Sequence, residues 1–223
     1  MAFGFDTKNA SAFASGTTSS VTLTVTAGDV ICVALFADTN VSLTSIKDGA
    51  NNNFTVTPNS PASFVSGIGM FWLAYMISAP GGSTTITGTV GSTANLQINA
   101  ICFTVSGGSA VFDKDVAKGS GTGNVATPTI TPTNANSLLY GFVGTAGGTT
   151  NGGLGSWTFG QTDATTQNAD EYQLSASTAQ AMSMTNSGAY SSIPMAFYIS
   201  SGPTGPTDAF DLCPGSNVMW KDC

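Results

Sequence analysis

Carboxylates are the only groups in this chain with the number and spacing for acid–base chemistry. Asp113 and Asp115 flank Lys114, Asp170 and Glu171 are adjacent, and Asp208 and Asp211 lie near the C-terminus. A glycoside hydrolase using carboxylates alone needs two of them about 5–10 Å apart across a cleft. Adjacent residues on a strand face opposite ways, so Asp170 and Glu171 are not expected to share a substrate. Histidine and arginine are absent, and lysine occurs only at Lys8, Lys47, Lys114, Lys118 and Lys221. No serine can be paired with a histidine base, and no Ser-x-x-Lys arrangement occurs. The glycine-rich stretches 119–123 and 147–155 lack the lysine of a phosphate-binding loop. The expectation is a protein that is not an enzyme and uses no cofactor.

Metal and nucleic-acid chemistry find little more. The turn Asp48–Gly49 with Asn51, Asn52 and Asn53 does not have EF-hand spacing, and it reads as turn chemistry, with calcium at loop carboxylates left open. A net charge of -7 and five lysines argue against polyanions. Charged residues make up only 8% of the chain, against about 25% in a typical soluble protein. Ser, Thr, Asn and 27 glycines stand in their place. Such a neutral, hydrogen-bonding surface suits contact with other proteins or with sugars.

The cysteines are of two kinds. Cys32 and Cys102 sit in apolar runs and read as buried free thiols. Cys213 and Cys223 bracket a short C-terminal segment and are expected to form a disulfide worth roughly 2–3 kcal/mol. Two thiols without histidine make a poor zinc site.

Two-residue alternation dominates the chain. Val21, Leu23 and Val25 share one strand face, with Ser20, Thr22, Thr24 and Thr26 on the other. Residues 30–37 are wholly apolar, as in a central strand. Further strands are expected at 41–46, 53–57, 67–77, 84–90, 95–105, 126–131, 137–145, 156–161, 170–175, 179–185 and 193–200, with a loop over 107–125. No apolar run reaches the roughly 20 residues of a membrane helix. No signal-peptide pattern stands at the start, and Met1 favours cytosolic synthesis. A weak repeat aligns 83–108 on 177–202, matching Phe103 with Phe197 and Ser106 with Ser200.

The fold class these patterns predict is all-β, an antiparallel sandwich or jelly roll, with internal pseudo-duplication suggested by the repeat. The order of strands and turns, from residues 20–35 through Ile46 to Phe54, Trp72 to Ile77, Ile101 to Gly107 and Thr131 to Leu139, resembles a widespread group of bacterial and phage β-sandwich modules. That group occurs in virion structural proteins and in secreted multidomain proteins. The resemblance covers residues 17–202. It implies a sandwich domain there, an N-terminal arm at 1–16 and a tail at 203–223 with the cysteine pair. With Met1, no visible signal, a neutral polar surface and terminal segments outside the sandwich pattern, the expectation is a structural role in a virion: a capsid decoration (cement) protein, or a fibre or tail component. The partners expected are other protein subunits, including copies of the chain itself. The alternative is a secreted carbohydrate-binding or adhesive module, and a third reading is a glycan hydrolase that uses only carboxylates. The residues expected at interfaces are Phe3 and Phe5 in the arm, Phe210, Leu212, Met219 and Trp220 in the tail, and Trp157 after a glycine-rich loop.

Overall fold

A computed structural model describes residues 1–64, 69–146, 150–162 and 168–201. The first half of the chain gives β1 (Ala2–Ala10), β2 (Ala14–Val25), β3 (Val30–Ala37), β4 (Leu43–Lys47), β5 (Thr55–Val56), β6 (Ala62–Ser63), β7 (Met70–Met76) and β8 (Gly82–Ser106). The second gives β9 (Ser109–Asp115), β10 (Gly119–Thr122), β11 (Thr129–Ile130), β12 (Ser137–Ala146), β13 (Thr150–Gly153), β14 (Thr158–Thr162), β15 (Asn168–Ala176), β16 (Gln180–Ala181), β17 (Met184–Asn186) and β18 (Ala189–Ser200). The described residues contain no helix, and the arrangement is an antiparallel β-sandwich.

Two larger sheets make the sandwich. In the first, the order is β1-β8-β3-β7-β5; in the second, β10-β18-β12-β15-β14, with β9 also on β18. The orders correspond strand for strand. The registers correspond too: Phe103 pairs with Val30 and Phe197 with Leu138, at the offset the sequence repeat suggested. The pseudo-duplication is therefore a feature of the fold.

The inward faces meet in one apolar layer. Val30, Cys32, Ala34, Phe71, Leu73 and Phe103 of the first sheet pack with Leu138, Tyr140, Phe142, Ile193, Met195 and Phe197 of the second. The duplication extends to its rings. Tyr75 stacks on Phe112 at 4.6 Å and meets Phe197 edge-on at 5.2 Å. Tyr172 stacks on Phe5 at 5.8 Å and meets Phe103 edge-on at 5.2 Å. Each tyrosine of one sheet thus sits against two phenylalanines of the other, a geometry that adds to simple area burial.

Both outward faces are covered as well. β8 is 25 residues long. Its second half pairs with β1 and β3, and its first half pairs with β2 and β4. The first half folds back over the sheet and buries Val21, Leu23, Ile46 and Ile86 against Val33, Leu35, Trp72 and Ile98. The layers come so close at Gly88 that a Cβ there would meet the Leu35 side chain at 2.8 Å. On the second sheet, the small pairs β11–β16 and β13–β17 bring Ile130, Met182 and Met184 over Leu139 and Val143.

Two expectations change. The segment 1–16 is not a free arm: β1 and β2 run along one edge of β8, and Phe3 is buried in the inter-sheet layer. The segment 107–125 is not a loop, since β9 and β10 lie along β18 in the equivalent way. Each hid behind a β-bulge. The ladder slips between Phe5 and Thr7, around Asp6, and again opposite Ala196 and Phe197, around Asp113. A bulge inserts a residue and breaks the alternation by which a strand is read. The strands expected at 84–90 and 95–105 are one strand, β8.

The matched ring clusters predict matched losses. Phe103→Ala and Phe197→Ala should each destabilise the chain by about 3–5 kcal/mol, and Phe5→Ala, at a ring 42% exposed, by much less. Denaturant unfolding of the three variants checks this; unequal losses at Phe103 and Phe197 would contradict the equivalence.

Candidate functional site

Among the described residues, four aspartates are occupied in holding loops. Asp48 accepts hydrogen bonds from the Asn52 backbone N–H at 2.7 Å and from its Nδ2 at 2.8 Å. Asp38 accepts from the same two groups of Asn95, at 2.9 and 2.6 Å. Asp115 does so with Asn59, at 2.7 and 2.9 Å. Asp113, at its bulge, takes the N–H and hydroxyl of Thr133, both at 2.6 Å. These aspartates clip loops to strands by charge-assisted bonds.

Asp6, at the equivalent bulge, has a different setting. Its carboxylate, the Asp29 carboxylate and the Cys102 sulfur lie within 4.8 Å of one another. The thiol donates to Asp29 Oδ2 at 3.4 Å, and the Thr26 N–H donates to the same oxygen at 3.2 Å. Burial raises the pKa of Asp29, and Asp6 adds to the rise. The Cys102 thiol is also pushed up by burial, so it stays protonated. Cys32 and Cys102 are both free and buried. Their register, Ile31 opposite Cys102 and Cys32 opposite Ile101, turns them to opposite faces of the sheet, so they do not bridge.

The adjacent carboxylates Asp170 and Glu171 are fully buried. Each lies between β12 and another strand of the second sheet, and they point into different layers. Asp170 faces the first sheet. It accepts hydrogen bonds from the Tyr140 hydroxyl at 3.0 Å and from the Gln161 N–H. A Cβ on Gly160 would collide with its Oδ1, so glycine is required there. Burial pushes Asp170 up to about 7, against the opposing effects of Gln161, Tyr140, the Lys8 charge and Asn99. Glu171 points the other way. Its Oε1 accepts from the Ser183 N–H at 3.0 Å, while Oε2 is buried with no partner. Burial pushes Glu171 up to about 8.

Asn99 and Gln97, on the inward face of β8, complete the polar group around Asp170. The Gln97 amide donates to Asn99 Oδ1 at 2.9 Å, leaving Gln97 Oε1 and Asn99 Nδ2 buried without partners. The duplication shows what this position requires of the fold. By strand register, Leu73 stands where Asp170 stands, and Cys32 where Tyr140 stands. The repeat offset puts Ile193 in the place of Asn99. The fold closes there with apolar side chains, so the polar group is particular to one half.

The remaining surface feature is a grid of hydroxyls. On the outer face of the folded-back layer, Thr18, Ser20, Thr22 and Thr24 of β2 stand opposite Thr89, Thr87, Thr85 and Ser83 of β8. Ser20 bonds to Thr87 at 2.8 Å and Thr22 to Thr85 at 2.9 Å.

The residues expected at interfaces are scattered. Phe3 is buried, and Phe5 is 42% exposed at the sandwich edge. Trp157 is buried, its Nε1 donating to the Ala181 carbonyl at 2.7 Å, because the short β-pairs cover it. Phe210, Leu212, Met219, Trp220 and the Cys213–Cys223 pair lie outside the described residues. The polar group was not foreseen as a unit, since its members come from strands far apart in sequence. The signal lay in a comparison of the repeats, where Asp170 answers to a leucine. Comparison with protein-family models, with curated proteins and with solved structures finds no match.

Asp170 and Glu171 hold their protons more tightly folded than unfolded. Stability is therefore full below about pH 4, and declines as the pH rises from there to about 8, through the shifted values. Glu171→Gln should flatten the upper part of that decline and raise stability at pH 8 by more than about 1 kcal/mol. Urea titrations across this range measure both, and stability rising between pH 5 and 8 would contradict the assignment.

Proposed function

We propose that the chain is a non-catalytic structural module that docks on a larger protein assembly, as a capsid decoration protein, or a fibre or tail component, does on a phage virion. The supporting observation is the hydroxyl grid of β2 and β8, eight Ser and Thr side chains in four facing pairs. A protein surface laid on it strips water from neutral hydroxyls that already bond to one another in two pairs. The eight side chains themselves carry no charge to desolvate, which is the large penalty in forming an interface, and the cation beside them, Lys47 opposite Thr87, already donates to Asn51. The carboxylates add indirect support. Among the described residues, Asp38, Asp48, Asp113 and Asp115 hold loops, and Asp170 and Glu171 point into separate layers, so neither of these sets presents two carboxylates across a cleft.

The carbohydrate-binding alternative has less behind it. Sugar-stacking sites use exposed aromatic faces, while Trp72 and Trp157 are buried.

Thr22→Glu combined with Thr85→Glu sets two carboxylates directly opposite on the grid, at a folding cost of roughly 1 kcal/mol. The full chain should run as an oligomer in size-exclusion chromatography with light scattering, and the double variant as a folded monomer. A wild-type monomer at high concentration, together with binding on a glycan array, would favour the alternative.

A further inference from the structure

The cover of the first sheet is narrower than the sheet itself. β4 is the last strand of the folded-back layer, while the sheet beneath runs on through β7 to β5. An apolar hollow of about 440 Å³ lies where the cover stops. Val41 and Leu43 line it from the β4 side, and Val56, Pro61, Met70 and Trp72 from the sheet. Leu43, Val56 and Met70 are only partly buried against the core beside them. Apolar surface of this kind, left open at the border of a core, marks a place where something docks.

The C-terminal segment fits this hollow in reach, composition and charge. Ser200, at the end of β18, pairs with Ser109, and Met195 pairs with Asp115. Asp115 accepts the Asn59 N–H at 2.7 Å, next to Ser60 and Pro61 at the rim of the hollow. Five residues of strand, about 17 Å, therefore separate the end of β18 from the level of that rim. Residues 202–209 span up to about 28 Å when extended. That is enough to bring Phe210 and Leu212 to the hollow, and residues two apart on an extended segment face the same way. Met1 and Phe5, the large apolar side chains exposed among the described residues, lie at or beside β1, the far edge of the sheet. Charge agrees with the tail. The Lys118 ammonium donates to the Ser63 carbonyl at 3.1 Å, and Ser63 pairs with Met70. Asp208 and Asp211 stand on either side of Phe210 in sequence, so the segment brings carboxylates to a rim that holds a cation.

We propose that the hollow between β4 and β5–β7 is the seat of the chain's own C-terminal segment, with Phe210 and Leu212 packed on Met70 and Trp72. The tail then finishes the cover that β2, β4 and the first half of β8 begin. It takes Leu43, Val56 and Met70 out of water, which is the source of the binding energy. The proposal does not rest on the docking role, whose hydroxyl grid lies on the outer face of the folded-back layer.

Photo-crosslinking of the full chain tests this. A benzoyl-phenylalanine in place of Phe210 keeps an aromatic ring there and, on irradiation, inserts into the C–H bonds it touches. Light- and heavy-nitrogen copies are mixed in denaturant and refolded together before irradiation. A digest should show position 210 joined to peptides carrying Leu43, Val56 or Met70, with both halves of each product of one isotope. Urea unfolding gives a second reading. Phe210→Ser should lower the midpoint of the otherwise native chain, and by less than half as much in a Met70→Ser background. Cross-links that fall elsewhere, or none at all, overturn the proposal. So do equal midpoint shifts in the two backgrounds. Products that join light to heavy copies as often as chance allows overturn it too, and would seat the tail on a neighbouring copy.

Discussion

The packing depends on the length of β8. A strand of ordinary size belongs to one layer, but β8 runs through two. Its second half carries Ile101 and Phe103 into the inter-sheet layer and Leu96, Ile98 and Cys102 into the layer behind. Its first half then forms the cover for that second layer. Both faces of β3 and β7 must be apolar as a result, and they are. The same strand fixes the edge, because β1 and β2 follow one another along it. A shorter β8 would leave Val33, Leu35 and Trp72 open to water.

The second sheet solves the same problem with shorter pieces. β18 takes the place of the second half of β8, and small two-stranded sheets take the place of the folded-back layer. The two halves agree where packing is most demanding: the central registers, the tyrosine–phenylalanine contacts, and an aspartate at each edge-strand bulge. They diverge where side chains became polar. Asp170, Asn99 and Tyr140 in one half answer to Leu73, Ile193 and Cys32 in the other. Buried polar groups of this kind weaken a core unless every donor and acceptor is met, and here several are not.

Much of the fold was legible in the sequence. The apolar run of β3 and the alternation of β2 follow from which faces are buried, and the turn at Asp48 from its asparagines. The β1 and β9 strands were not legible, because a bulge shifts the side-chain period within a few residues. Trp157 was misplaced for a related reason, since the strands that cover it are two to four residues long and too short to show a period. The burial of Asp170 and Glu171 was hidden because it comes from layers on both sides of one strand, each brought from distant sequence.

The loop clips have a bearing on the ionic surroundings of the protein. Asp38, Asp48 and Asp115 each bind a neutral asparagine, by short contacts between a charge and a dipole. Dissolved ions screen long-range forces between charges and barely touch such contacts. A fold held this way keeps its loops in brine and in dilute buffer alike. What added salt does relieve is the mutual repulsion of a chain with a net charge of -7, so crowded copies can approach one another more readily as ionic strength rises.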